Sequence, residues 1–227
     1  MTNPNNPMLT STPNGTYHTV HLDESIGDAA DYREVTNMLR LCGTNDIVHM
    51  QINNYGGSID TALAIVAGMQ SSQALIICEV TGCAASAATL IYLQGQEFRF
   101  SENSTFMIHS ASYGYGGKAK NIKQYVDFND THIEKLVRQH YKYFLTEEEI
   151  VRAINGEDFW FDVDELEERL ELMAKGYAAE AEEAEEAKKV EAKKASDEEF
   201  TKRMEEVIAH QEQKRLPDTP HGNFTEP

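Results

Sequence analysis

Cations are scarce in this chain: 20 Lys and Arg stand against 38 Asp and Glu, a formal net charge of −18 over 227 residues. Proteins that hold nucleic acid concentrate Lys and Arg against the phosphates, so this balance excludes that class. Cysteine is scarce too. Its three copies, Cys42, Cys78 and Cys83, fall in or beside apolar segments, which reads as reduced, buried thiols rather than a disulfide framework. No cysteine pair has metal-ligand spacing, and Cys78 and Cys83 have no further ligand nearby, so no metal is expected. No apolar run approaches the roughly 20 residues that span a bilayer. The polar, uncharged opening Met1-Thr-Asn-Pro-Asn-Asn-Pro7 does not read as a signal peptide. A Gly-x4-Gly-Lys-Ser/Thr loop is also missing, so no nucleotide or other cofactor is expected. The expectation is a cytoplasmic protein with no membrane or nucleic-acid partner.

Hydrophobic content is 41%, ample for one α/β domain with an extension. Residues 1–16 are rich in Asn, Pro, Thr and Ser and read as a flexible arm. A domain spans 17–168. Within it, strands are expected at Thr19–Leu22, Ile47–Ile52, Leu75–Val80, Glu97–Phe100 and Thr105–His109. They alternate with helices at Asp28–Leu41, Ile59–Met69 and Ser86 to about Leu93. Such alternation implies βαβ units and parallel pairing, with ligands gathered beyond the carboxyl ends of the strands. A long amphipathic helix is expected from Ala119 to Phe144. A shorter one from Thr146 to Ile154 opens as a capping box, with Thr146 three residues before Glu149. Residues 169–215, dominated by Glu, Ala and Lys, read as a solvated helical extension, and 216–227 as a disordered tail.

Chemistry concentrates where the strands end. Thr81-Gly-Cys-Ala-Ala-Ser-Ala-Ala-Thr-Leu90 follows an apolar strand, with Gly82 read as the turn and Ser86 opening a small-residue helix. A serine there can face a cleft beside unpaired N–H groups and the positive end of the helix dipole. Alone, Ser86 would equally suit a tight helix–sheet contact. Three companions change the balance: Gly56-Gly57 after a second strand, His109 closing Thr105-Phe-Met-Ile-His109, and Asp158 within Gly156-Glu-Asp-Phe-Trp-Phe161. Nucleophile, base and orienting acid are thus all present. Of the eight histidines only His109 ends an apolar strand; a neutral imidazole there could take the serine proton. Tyr113-Gly-Tyr-Gly-Gly117 reads either as a flexible loop or as an exposed edge to which an extended peptide adds, through Tyr113, Gly114 and Gly116.

The order Ser, His, Asp, together with Gly-x-Ala-Ala-Ser and Met-Ile-His, resembles the Clp protease proteolytic subunit and the related phage head-maturation proteases, over about Val20 to Glu168. The resemblance implies an α/β fold of the ClpP/crotonase type with a protruding strand–helix handle. It implies a serine endopeptidase acting on polypeptides, with Ser86, His109 and Asp158 as its triad. Backbone N–H groups of Gly57 and Ala87 would form the oxyanion hole, and Gly56 would approach the substrate. A homo-oligomeric ring, single or stacked in pairs, is implied as well. Its partner would be either a separate ATP-dependent unfoldase or phage capsid and scaffold proteins. The chain departs from the family's pattern at Tyr55, where proline is usual, and at Ala87, where methionine is usual. It departs again after Asp164, where the usual Gly-Leu-Val-Asp-like segment gives way to the acidic extension. Two other classes remain open: a crotonase-like acyl-CoA enzyme, which shares the paired-amide hole, and a catalytically silent scaffold whose extension is the active part.

Overall fold

A sheet of mostly parallel strands organises the first of two units, residues 1–174. The computed structural model describes residues 8–12 and 14–213. The sheet runs β1-β2-β3-β4-β6-β7, with β5 pairing β4. The strands are β1 (Met8–Thr12), β2 (Gly15–Leu22), β3 (Ile47–Asn54), β4 (Leu75–Ala85), β5 (Glu97–Phe100), β6 (Thr105–Ile108) and β7 (Phe159–Phe161). Both edges, β1 and β7, are antiparallel; every inner pairing is parallel. Parallel strands need crossovers, which α1 (Arg33–Leu41), α2 (Ile59–Ser71) and α3 (Ala87–Tyr92) supply. Alternate residues of the inner strands, such as Val20, Met50, Ile52, Cys78 and Val80, are fully buried in the main core. All three cysteines are free and buried.

Several elements differ from the sequence expectation. Residues 8–12 do not belong to a loose arm: they pair with β2 through a register that ends at Thr12↔Gly15. The β-branched threonines favour such a strand. Residues 1–7 lie outside the described residues. Gly82 does not turn the chain either. β4 runs on through Ala85, and its register against β3 jumps from Ile52↔Val80 to Asn54↔Ala84. Gly82 therefore sits in a bulge, where a Cβ would lie 2.6 Å from Asn53 Oδ1. The bulge is pinned by Cys83 N–H donating to that same oxygen at 3.2 Å.

The expected handle has its helix but not its strand. α4 spans Ala119–His140, stopping short of Phe144 because the chain turns, with Tyr143 at φ 65°. Residues 109–118 form no strand. Tyr115 instead stacks on Tyr125 of α4 with ring centroids 4.3 Å apart, and Tyr113 donates to Asp130 at 2.5 Å. α5 (Glu147–Ile154) opens on the expected capping box, with Thr146 and Glu149 satisfying each other's backbone N–H. α6 runs from Val163 to Gln213. Its first turns belong to the first unit, because Leu166, Leu170 and Met173 are buried in the core at helical spacing. That carries the boundary past Glu168 to Ala174. The second unit, from Lys175, is helical to Gln213, and its side chains from Tyr177 to Ile208 are exposed. The tail expected from residue 216 lies outside the described residues. Among the described residues no helix is long and apolar enough to cross a membrane.

Candidate active site

Ser86 occupies the single residue between β4 and α3, with φ 57° and ψ −129°. A residue with a Cβ rarely adopts positive φ and does so only when its surroundings hold it there. Both backbone groups of Ser86 are held. Its N–H donates to Met107 O at 2.9 Å, and its carbonyl accepts from Thr89 N at 3.0 Å and Thr89 Oγ1 at 2.6 Å. A carbonyl only accepts, so the Thr89 proton is committed to Ser86; the Tyr141 hydroxyl, 2.7 Å from Thr89 Oγ1, must then be the donor. Burial pushes the Tyr141 phenol up to about 12. This buried chain fixes the turn that presents the serine side chain.

That side chain meets the histidine. Ser86 Oγ lies 2.7 Å from His109 Nε2, a hydrogen bond across which a neutral imidazole can take the hydroxyl proton. Behind Ser86 stands Gly56, at φ 96°, where a Cβ would fall 2.6 Å from the Ser86 Cβ. Asn54 holds that glycine, accepting from its N–H at 2.7 Å. Gly57 follows at φ 145°, and a Cβ there would fall 2.2 Å from Ile26 O. Gly57 bridges Ile26 in parallel fashion: Ile26 N donates to Gly56 O, and Ser58 N to Ile26 O. In such a bridge the flanking residues make the bonds, so Gly57's own N–H points the other way. Among the described residues neither Gly57 N–H nor Ala87 N–H has a protein acceptor. Two such donors beside a hydroxyl that is hydrogen-bonded to an imidazole can receive a developing oxyanion.

The cleft over this pair has two parts. One is narrow and apolar, lined by Ile59, Ala87, Leu90, Ile133, Leu136, Val137 and Tyr141. The other, of about 390 Å³, is more polar and reaches Gly57, Asp60, Tyr113, Asn129 and His132. Residues 16–169 of the chain match the Clp protease family. The chain belongs to that family.

Membership of the Clp proteases carries serine-peptidase chemistry and processing of peptide substrates by an oligomer, at the level of the family. Within this member, the expected site residues are not all gathered. Ser86, His109, Gly57 and Ala87 meet around one cleft. Gly56 backs the serine instead of lining that cleft. Tyr113 lines it, whereas Gly114 and Gly116 stand in open space. Asp158 is exposed, and among the described residues no hydrogen bond or ion pair joins it to His109. Its backbone position is nonetheless informative. The β6–β7 register runs from Phe106↔Phe161 to Ile108↔Phe159 and ends there; counted one residue further, it would set His109 opposite Asp158. Two of the neighbouring acids are engaged elsewhere: Glu157 forks onto Arg152, and Asp162 accepts from Glu165 N at 3.0 Å to cap α6.

The sequence reading missed the Thr89–Tyr141 clamp and the apolar wall from α4. A Thr three residues after Ser86 is a visible signal for the first, but its partner lies 52 residues on. His132, set aside on sequence grounds, does reach the cleft, stacked on Phe128 at 5.8 Å. Outside the cleft, the described residues bring His18, Cys42 and Asp46 together as potential metal ligands.

Proposed function

We propose that this Clp protease family member is a serine endopeptidase in which Ser86 attacks the peptide carbonyl while His109 takes its proton. The amides of Gly57 and Ala87 receive the oxyanion, His109 returns the proton to the leaving amine, and water then releases the acyl-enzyme. Asp158 holds the histidine tautomer and stabilises the imidazolium. The observation that carries the reading is the 2.7 Å contact between Ser86 Oγ and His109 Nε2, made by a serine held at φ 57°. The β6–β7 register and the engagement of Glu157 and Asp162 support Asp158 over its neighbours. Its exposed carboxyl must swing onto the imidazole for the triad to close. A ring of identical chains, single or stacked, would supply the constraint that folds β7 and its approach into the working arrangement.

Two settings fit: a degradation subunit fed by a separate ATP-dependent unfoldase, or a capsid-maturation protease acting beside phage structural proteins. The exposed, Glu-rich helix from Lys175 onward favours the second, since a long, solvated acidic helix suits a scaffold-like extension. The Ser86–His109 hydrogen bond argues against the acyl-CoA and silent-scaffold readings, neither of which needs it. The test is hydrolysis of an internally quenched peptide library by the assembled chain. Turnover that falls about 10⁴-fold or more in both Ser86→Ala and His109→Ala supports the peptidase. Turnover that survives either change rejects this site.

A further inference from the structure

Three elements converge at the end of the sheet remote from Ser86. His18 lies on β2 opposite Val48, early in the parallel strands, whereas Ser86 follows the last residue of β4. Cys42 is the residue that ends α1, and Asp46 closes the turn into β3. One ring nitrogen of His18, the Cys42 sulfur and one Asp46 carboxylate oxygen all lie within 4.8 Å of one another. His18 is 8% exposed and Cys42 6%. Nδ1 of His18 is buried with no hydrogen-bond partner among the described residues. A buried, unpaired ring nitrogen is unusual in a native core and points to a missing partner.

The chemistry of the donors narrows that partner. Imidazole, thiol and carboxylate together form the nitrogen–sulfur–oxygen set of zinc, while calcium and magnesium take oxygen. Asp46 is held in place by the backbone, its two oxygens accepting from Thr16 N and Gly43 N, each at 2.8 Å. Each oxygen keeps a further lone pair, and backbone donors that fix a carboxylate are the usual outer support of a metal ligand. A second sulfur, Met38 Sδ, stands 3.4 Å from Cys42 Sγ. The carbonyl end of α1, which favours positive charge, ends at Cys42.

We propose that His18, Cys42 and Asp46 bind one divalent cation of the zinc class, which ties β2, α1 and the start of β3 together. On binding, the Cys42 thiol gives its proton to solvent and the thiolate takes the metal; no electron is transferred. Water or the Met38 thioether fills the fourth position. The site is separate from the peptidase cleft, and its role is to hold the fold.

The test uses the full chain, stripped with chelator and titrated with Zn²⁺ or Co²⁺. Co²⁺ should give a thiolate-to-metal absorption band at one equivalent, and Zn²⁺ should raise the melting temperature progressively. The band should persist in Cys78→Ala/Cys83→Ala, which leaves Cys42 as the remaining thiol, and vanish in Cys42→Ala. In His18→Gln, Zn²⁺ affinity should fall at least about 100-fold. A wild type with no thiolate band and no melting shift overturns the proposal without reference to any variant. So does Zn²⁺ binding that is unchanged in Cys42→Ala and His18→Gln, which would place the metal on the acidic extension.

Discussion

Thr89→Val and Tyr141→Phe should not cost the same, although they break the same 2.7 Å hydrogen bond. Tyr141→Phe removes a donor together with its need for a partner. Thr89 still donates to the Ser86 carbonyl, so the loss should be that of one buried hydrogen bond, about 1 kcal/mol. Thr89→Val is close in shape but deletes the acceptor of the Tyr141 proton and one of the two bonds to Ser86 O. It strands a phenol that is only 3% exposed, adding a desolvation cost of about 1–3 kcal/mol. In the double variant the shared bond is lost only once and the stranded hydroxyl is gone, so its destabilisation should fall short of the sum by about 2–4 kcal/mol. Urea midpoints at fixed protein concentration measure all three, and peptide turnover follows the same proteins. Turnover should drop most in Thr89→Val, because the Ser86 turn loses part of what holds its positive φ. Equal costs for the two single changes, or an additive cycle, would refute the assignment of Tyr141 as donor and the clamp with it.

Three other outcomes are expected. Gly57→Ala should nearly abolish peptide turnover and destabilise the chain, since its Cβ would meet Ile26 O at 2.2 Å in a conformation that already disfavours side chains; wild-type turnover and stability would refute the tight Gly57–Ile26 approach as a requirement of the site. Asp158→Asn should lower kcat about 10⁴-fold with the assembly intact, and an unchanged pH–rate profile and kcat would transfer the orienting role elsewhere. The Glu149 carboxyl is held at about 2, chiefly by the Arg169 guanidinium. A lowered carboxyl pKa contributes stability above the unfolded value, near 4.3, and loses it as pH falls towards 2. Arg169→Met should therefore destabilise by about 2 kcal/mol at neutral pH and flatten the acid limb between about pH 5 and 2. Acid titration of unfolding checks this, and a limb as steep as wild type would deny the pair that role.

What the sequence disclosed was local. Apolar runs marked β3, the start of β4 and β6; Thr146 and Glu149 announced the start of α5; Ser86 and His109 stood out because each ends a strand. Fold class followed from the alternation of strands and helices. Features set by distant partners were not legible. Gly82 read as a turn because its reason, the Asn53 side chain, sits on another strand. The Gly-rich segment after His109 read as a loop or an exposed edge, and nothing local showed that Tyr113 and Tyr115 would find partners on α4. Tyr141 and His18 carry no local sign of Thr89 or Cys42. The end of the compact unit was placed early because Leu170 and Met173 are isolated apolar residues in an acidic stretch, and only the packed core shows them buried.

The central claim is that Ser86 is an activated nucleophile. Fluorophosphonate labelling of the assembled chain, with the adduct located by mass spectrometry, tests it most directly in wild type, Ser86→Ala and His109→Ala. One adduct on Ser86, lost in both variants, is the expected result. A well-folded, assembled wild type that takes no label, or takes it at another residue, would contradict it.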